Sequence, residues 1–288
     1  MEERAPPRLL TFTGAAGWTA AVVVALVFAV STTAALREGA GDDVVNITAC
    51  YALVHFAAIF ALVRIYRPDD RLRDAFGLRP TNPLHVLFAG LLGAGLYPLL
   101  ARLDDRIAAV MPLDDEARAS VERLFHAPTT GTKIALFVAV GVVIPLSEEL
   151  YFRGVLFGAL LRGRGDVEKR MPLIMMACAG FFALAQGDVR ALASSLVLGL
   201  ALSWIRARGG SSFLSIVAHV SHLAVPLGPL LHGGDVRSDD SFGSPWLMAS
   251  AGAVVIGGGA LAFLFQSGAH PRSARERDCA DADADAQP

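Results

Sequence analysis

The sequence predicts an all-α, polytopic integral membrane protein, with about eight transmembrane helices around an intramembrane cavity. Three observations predict it. More than half of the 288 residues are hydrophobic (54%) and only 18% are charged, with a mean hydropathy of +0.50, a balance outside the range of soluble globular domains. Apolar windows long enough to cross a bilayer recur along the whole chain. Inside one of them lie two adjacent glutamates and an arginine, which a membrane tolerates only where they face a polar cavity or a partner.

The windows are Gly14–Leu36, Val44–Tyr66, Pro83–Leu103, Lys133–Leu161, Met171–Gln186, Ala191–Ile205, Ser211–Leu231 and Pro245–Phe265. The first follows Arg4 and Arg8, is too long for the core of a signal peptide and has no convincing cleavage site, so it reads as a retained span. The fifth and sixth are short, separated only by Gly187-Asp188-Val189-Arg190, and read equally as a tight helical hairpin. The segment Asp104 to Thr132 interleaves apolar and charged residues and reads as an amphipathic helix on the membrane surface, with a lid over a cavity as the functional alternative.

Arginines gather after the second, fourth and sixth windows, at Arg64 to Arg79, Arg162 to Arg170 and Arg206 to Arg208. With both termini these loops fall on one side, which the excess of positive charge makes cytoplasmic. The location implied is a plasma or inner membrane. Of the 25 basic residues only Lys133 and Lys169 are lysine, a usage expected of a GC-rich bacterial genome. The chain divides into an N-terminal region of two spans and a basic loop (1–80), a main transmembrane region (81–266) and an acidic tail (267–288) with too little to bury for order. The net charge of -2 argues against a nucleic-acid partner. Cys50, Cys178 and Cys279 are too scattered for a disulfide frame or a thiolate metal site.

The fourth window carries the chemistry. A helix from Lys133 to Leu161 is about 43 Å long at ~1.5 Å per residue, against a hydrocarbon core of ~30 Å. Glu148 falls near its middle, where an ionised side chain costs ~2.5 kcal/mol or more. Glu149 and Arg153 are four apart, acid before base, which stacks them as an ion pair. Glu148 lies about 100° away with no local cation. Pro145 lacks an N–H for the carbonyl of Gly141 and predicts a kink beside the glutamates.

Few other polar groups lie within the windows. His219 and His222 are three apart and project from a similar helix face, a spacing that starts a zinc site or serves two hydrogen-bonded packing histidines. Gln186 ends the fifth window, as a site residue or as a cap on helix carbonyls. His55 reads as a packing or interfacial residue.

These residues together resemble the CPBP family of intramembrane proteases, which contains the type II CAAX prenyl endopeptidases. The family's E-E-x-x-x-R motif is met by Glu148, Glu149 and Arg153 within Ile144-Pro145-Leu146-Ser147 and Gly154-Val155-Leu156-Phe157. Its F-x-x-x-H motif falls on Phe182 with Gln186 in the histidine position, and its H-x-x-x-N motif falls on His219 with Leu223 in the asparagine position. Phe76-Gly77-Leu78-Arg79 also looks like the segment that follows the family's second span. The resemblance implies a conical cavity within the membrane and a protease acting on a membrane-associated protein or peptide. In it Glu148 activates water, Glu149 and Arg153 orient the site, and His219 serves as metal ligand or oxyanion donor. Zinc is the implied cofactor, with His219 and His222 as its ligands and Gln186 as an oxyanion donor or weak ligand. The two substitutions leave two alternatives: a relative that binds a membrane peptide or partner without cutting it and, because intramembrane carboxylates also mark ion paths, a carrier.

Overall fold

The computed structural model describes residues 9–163, 166–236 and 243–267. Arg4, Arg8 and the acidic tail beyond Ser267, including Cys279, lie outside the described residues. The protein is all-α, with no strand among the described residues. Six helices are long and apolar enough to cross a membrane: α1 (Phe12–Leu36), α2 (Val44–Tyr66), α4 (Pro83–Val110), the helix Thr130–Leu161, α11 with its 3₁₀ extension (Ser212–His232), and α12 (Ser244–Ser267). Two further helices, α9 (Val167–Ala185) and α10 (Leu192–Gly209), form a hairpin where the short fifth and sixth spans are expected. Between the spans lie the single turn α3 (Leu72–Ala75) and the amphipathic α5 (Asp115–Phe125).

Local chemistry sets most of the starts. Thr11, Asp43, Asn82, Asp166 and Ser211 each stand just before a long helix, and each side chain accepts from a backbone N–H of the first turn, satisfying donors that would otherwise be orphaned. α10 stops at Gly210, which takes the left-handed φ of 67° that a side chain would resist. Small residues then let backbones meet. A Cβ on Gly93 of α4 would lie 1.9 Å from the carbonyl oxygen of Ala218 in α11, and one on Gly257 of α12 would lie 2.9 Å from the amide of Leu92. α4 is thereby clamped between α11 and α12, as helices in lipid pack where small side chains face each other.

The helix Thr130–Leu161 is the axis of the molecule. It consists of α6 (Thr130–Val138), a π-helical stretch (Ala139–Val143), α7 (Ile144–Glu149), a second π-helical stretch (Leu150–Leu156) and α8 (Phe157–Leu161). The disturbance expected at Pro145 takes the form of these wider turns, one directly before the proline and one directly after the glutamates. Such turns rotate the side chains that follow and recur at functional sites. From Ser147 to Leu160 every residue is buried. The glutamates therefore sit in a helix wrapped on all sides by others.

The two ends of the bundle are built differently. At one end, the turn after α2 is strapped by arginines: Arg67 donates to Asp70 and to the carbonyls of Asp74 and Ala75, and Arg162 bridges to Asp70. The carbonyl of Gly77 accepts from the amide of Ser212, and Gly154 lies against the Phe76 carbonyl so closely that a Cβ would come within 2.9 Å. At the other end lie α5, which has no buried residue, and Lys133, which donates to the carbonyls of Gly233 and Gly234 and to Asp235.

Candidate active site

A cavity of about 480 Å³ reaches into the bundle. Its floor is polar and its walls are mainly apolar: Leu26, Ile47, Leu100, Val140, Ile144 and Leu198 surround Glu148, Gln186 and His219, with Asp104, Ser194 and Ser195 also on the wall. It draws on α1, α2, α4, α7, α9, α10 and α11, so the first two spans belong to the site as much as the later ones do.

Adjacent in sequence, Glu148 and Glu149 diverge in role. Glu149 is 0% exposed, and one of its oxygens, Oε1, accepts from Arg153 at 2.8 Å and meets Nδ1 of His219 at 3.1 Å. Arg153, also 0% exposed, donates to the carbonyl of Gly199 at 3.1 Å and lies 4.5 Å from the ring of Phe182. The expected helix pair is therefore present, and it extends to α9, α10 and α11. Arg206 supports it from below by donating Nε to the carbonyl of Arg153.

Glu148 faces the cavity. Its Oε1 accepts from the Tyr51 hydroxyl at 2.5 Å and from Nε2 of Gln186 at 3.0 Å, while Oε2 stands 3.8 Å from Nε2 of His219. That separation exceeds a direct hydrogen bond and suits a bridging molecule. The result is a chain of polar contacts from Arg153 through Glu149 and His219 to a gap, with Glu148 on the far side.

Gln186, at the C-cap of α9, reaches this centre although it ends a short helix. Counted from the arginine-rich end, Glu148 is about 20 Å up its helix and Gln186 about 28 Å up its own at ~1.5 Å per residue. The long amide side chain spans the difference, with Nε2 reaching Glu148 at 3.0 Å. His55 is buried as a prop: its Nδ1–H donates to the Tyr51 carbonyl, and its ring stacks on Tyr51 at 4.3 Å. Tyr51 was not singled out from sequence. Its sequence signal is a phenol within the second span, one helical turn before His55.

The residues present do not fit the implied zinc site. His219 and His222 both line the cavity, but His219 turns Nδ1 to Glu149, and His222 packs edgewise on Tyr97 at 5.0 Å between centroids. Residues three apart differ by about 4.5 Å in rise and 60° in azimuth, so sharing a face does not give them a common centre. Among the described residues no three His, Cys, Asp or Glu side chains converge as metal ligands, whereas a catalytic zinc takes three from the protein. Gln186 supplies an amide where an imidazole is expected, and Leu223 adds only an apolar wall.

Residues 130–225, about a third of the chain, match the family model for type II CAAX prenyl endopeptidase Rce1-like proteins, to which this stretch is similar. The match contains Glu148, Glu149, Arg153, Gln186, His219 and His222. Neither the curated proteins nor the solved structures contain a match to the chain.

Proposed function

We propose that the protein is an intramembrane endopeptidase that hydrolyses a peptide bond of a membrane-associated protein, with Glu148 as general base. The family points to a protease acting on membrane-associated proteins. The observation that carries the finer reading is the 3.8 Å gap between Glu148 and His219 at the floor of a cavity whose walls are mainly apolar.

Hydrolysis needs a deprotonated water, a donor for the oxyanion and a proton for the leaving amine. Glu148, held by Tyr51 and Gln186, takes a proton from water in the gap as the oxygen adds to the carbonyl carbon. The Nε2 of His219 faces the same gap. Glu149, ion-paired to Arg153, accepts from Nδ1–H and fixes the ring, and with the imidazole carrying a second proton Nε2–H donates to the developing oxyanion. As the C–N bond breaks, Glu148 returns its proton to the amine. The apolar walls exclude bulk water and strengthen each of these interactions.

The test is cleavage of a membrane-anchored reporter by the purified protein. Glu148→Gln keeps both hydrogen-bond geometry and volume, and a loss of at least ~10²-fold is expected with unfolding unchanged. Activity is expected to persist after zinc chelation. Full activity in Glu148→Gln removes the glutamate from the mechanism, and an inactive wild type that still retains the reporter identifies a binder.

A further inference from the structure

The two ends of the bundle differ in charge as well as in closure. At the strapped end, the described residues within 64–79, 162–170 and 206–208 hold ten basic and five acidic side chains. At the other end, 37–43, 102–133, 188–190 and 235 hold seven basic and eleven acidic ones. Membrane proteins keep the Lys/Arg-rich end in the cytoplasm.

The cavity lies toward the other end. Its lining comes from the halves of the helices remote from the arginines: Ile47 and Tyr51 at the start of α2, Leu100 to Asp104 toward the end of α4, Val140 to Glu148 before the second π-helical stretch, and Ala191 to Leu198 at the start of α10. Toward the arginine-rich end, Tyr151, Phe152, Arg153, Val155, Leu156 and Phe157 are each 0% exposed. Beneath them Gly77 and Arg206 are so close that a Cβ on the glycine would lie 2.5 Å from the guanidinium. A chain segment has no route to Glu148 from that side.

We infer that the cavity receives its substrate from the extracytoplasmic side, so that the substrate is a membrane-anchored protein whose cleaved segment lies on that side or in the outer half of the bilayer, not a cytoplasmic C-terminal tail. The class of substrate rests on the proteolytic reading above; the direction of access rests on geometry and charge alone. The apolar walls suit an extended apolar segment, drawn in as far as the mid-membrane glutamate.

Three forms of the full chain test the direction, each with one added cysteine, with Cys279 replaced by serine and the buried Cys50 and Cys178 retained. Glu116→Cys marks α5, Ser195→Cys marks the cavity wall and Pro80→Cys marks the arginine-rich end. Cells with an accessible plasma membrane are treated with a membrane-impermeant maleimide before and after permeabilisation. Labelling of Glu116→Cys and Ser195→Cys in intact cells, at least ~10-fold above Pro80→Cys, is expected. Labelling of Pro80→Cys in intact cells, or of Ser195→Cys only after permeabilisation, overturns the inference. Because labelling needs no turnover, failure of the proteolytic reading leaves this readout intact. Glu116 and Pro80 are exposed, so those two substitutions disturb no packing.

Discussion

The sealed half and the open half of this bundle use the same residue types to opposite ends, and the boundary between them runs between Glu148 and Glu149. Below it, each charge is met by another group: Glu149 by Arg153 and His219, Arg153 by Gly199, Arg206 by the Arg153 carbonyl, Arg67 by Asp70. Above it, Glu148 is held by two neutral donors, with one oxygen turned to a cavity. A buried charge that meets an opposite charge holds the helices around it in place, whereas one held by neutral donors beside a cavity keeps an oxygen turned to whatever the cavity admits. Loss of a group in the sealed half should therefore damage the fold, and loss in the open half should damage turnover.

The largest expected effect breaks the sealed half. Arg153→Ala strands Glu149 at 0% exposure without its cation, and removing one partner of a buried pair costs about 3–5 kcal/mol. The midpoint of denaturation in mixed detergent micelles should fall accordingly. Retention of wild-type stability would mean that the pair is dispensable and that the two halves are not distinguished by pairing. A smaller loss is expected where backbone meets backbone. Gly93→Ala places a methyl 1.9 Å from the Ala218 oxygen, which pushes α11 from α4 at a cost of about 1–3 kcal/mol. Because α11 also carries His219, this substitution should lower turnover and stability together.

Tyr51→Phe sharpens the comparison from the other side. It removes one of the two donors to Glu148 and leaves the ring that stacks on His55. A hydrogen bond to a charged group is worth about 1.5–3 kcal/mol, and about 1.4 kcal/mol is tenfold in rate. A fall in kcat of about tenfold or more is expected, with KM and the unfolding midpoint little changed. A fall in stability without a fall in kcat would move Tyr51 into the sealed half.

How much of this could be read in the sequence follows from the same division. Local and periodic signals were legible: the caps, the apolar windows, the mid-span glutamates and the four-residue spacing of Glu149 and Arg153. The site's centre was partly legible because Glu148, Gln186 and His219 are polar residues in apolar surroundings. Groups joined only by tertiary packing were not. Tyr51 lies 97 positions from Glu148, and nothing local to a phenol announces such a partner. The His219–His222 spacing overstated convergence, since a shared helix face says nothing of how each ring turns. The π-helical stretches around α7 also escape a reading based on one helical period, with the proline as their only trace.

The smallest expected effect tests whether the mouth of the open half depends on its own ion pairs. Asp188, in the turn between α9 and α10, accepts from both Nε and Nη2 of Arg190, and this bond holds its carboxyl below the usual value of 3.8. A carboxyl whose pKa is depressed in the folded state stabilises that state above its unfolded pKa, and the contribution fades as pH falls through the folded value. The pair is largely solvated, and pairs of that kind contribute little. Asp188→Asn should therefore shift the unfolding midpoint only slightly at neutral pH, with the difference from wild type closing as pH falls through the depressed folded value. Added salt should shrink it in the same way. A large, salt-insensitive shift would place this turn with the sealed half, because only a pair withdrawn from water escapes screening. The Gln186 side chain, one turn away, would then owe its position to a rigid hairpin and not to the hydrogen bond it makes with Glu148.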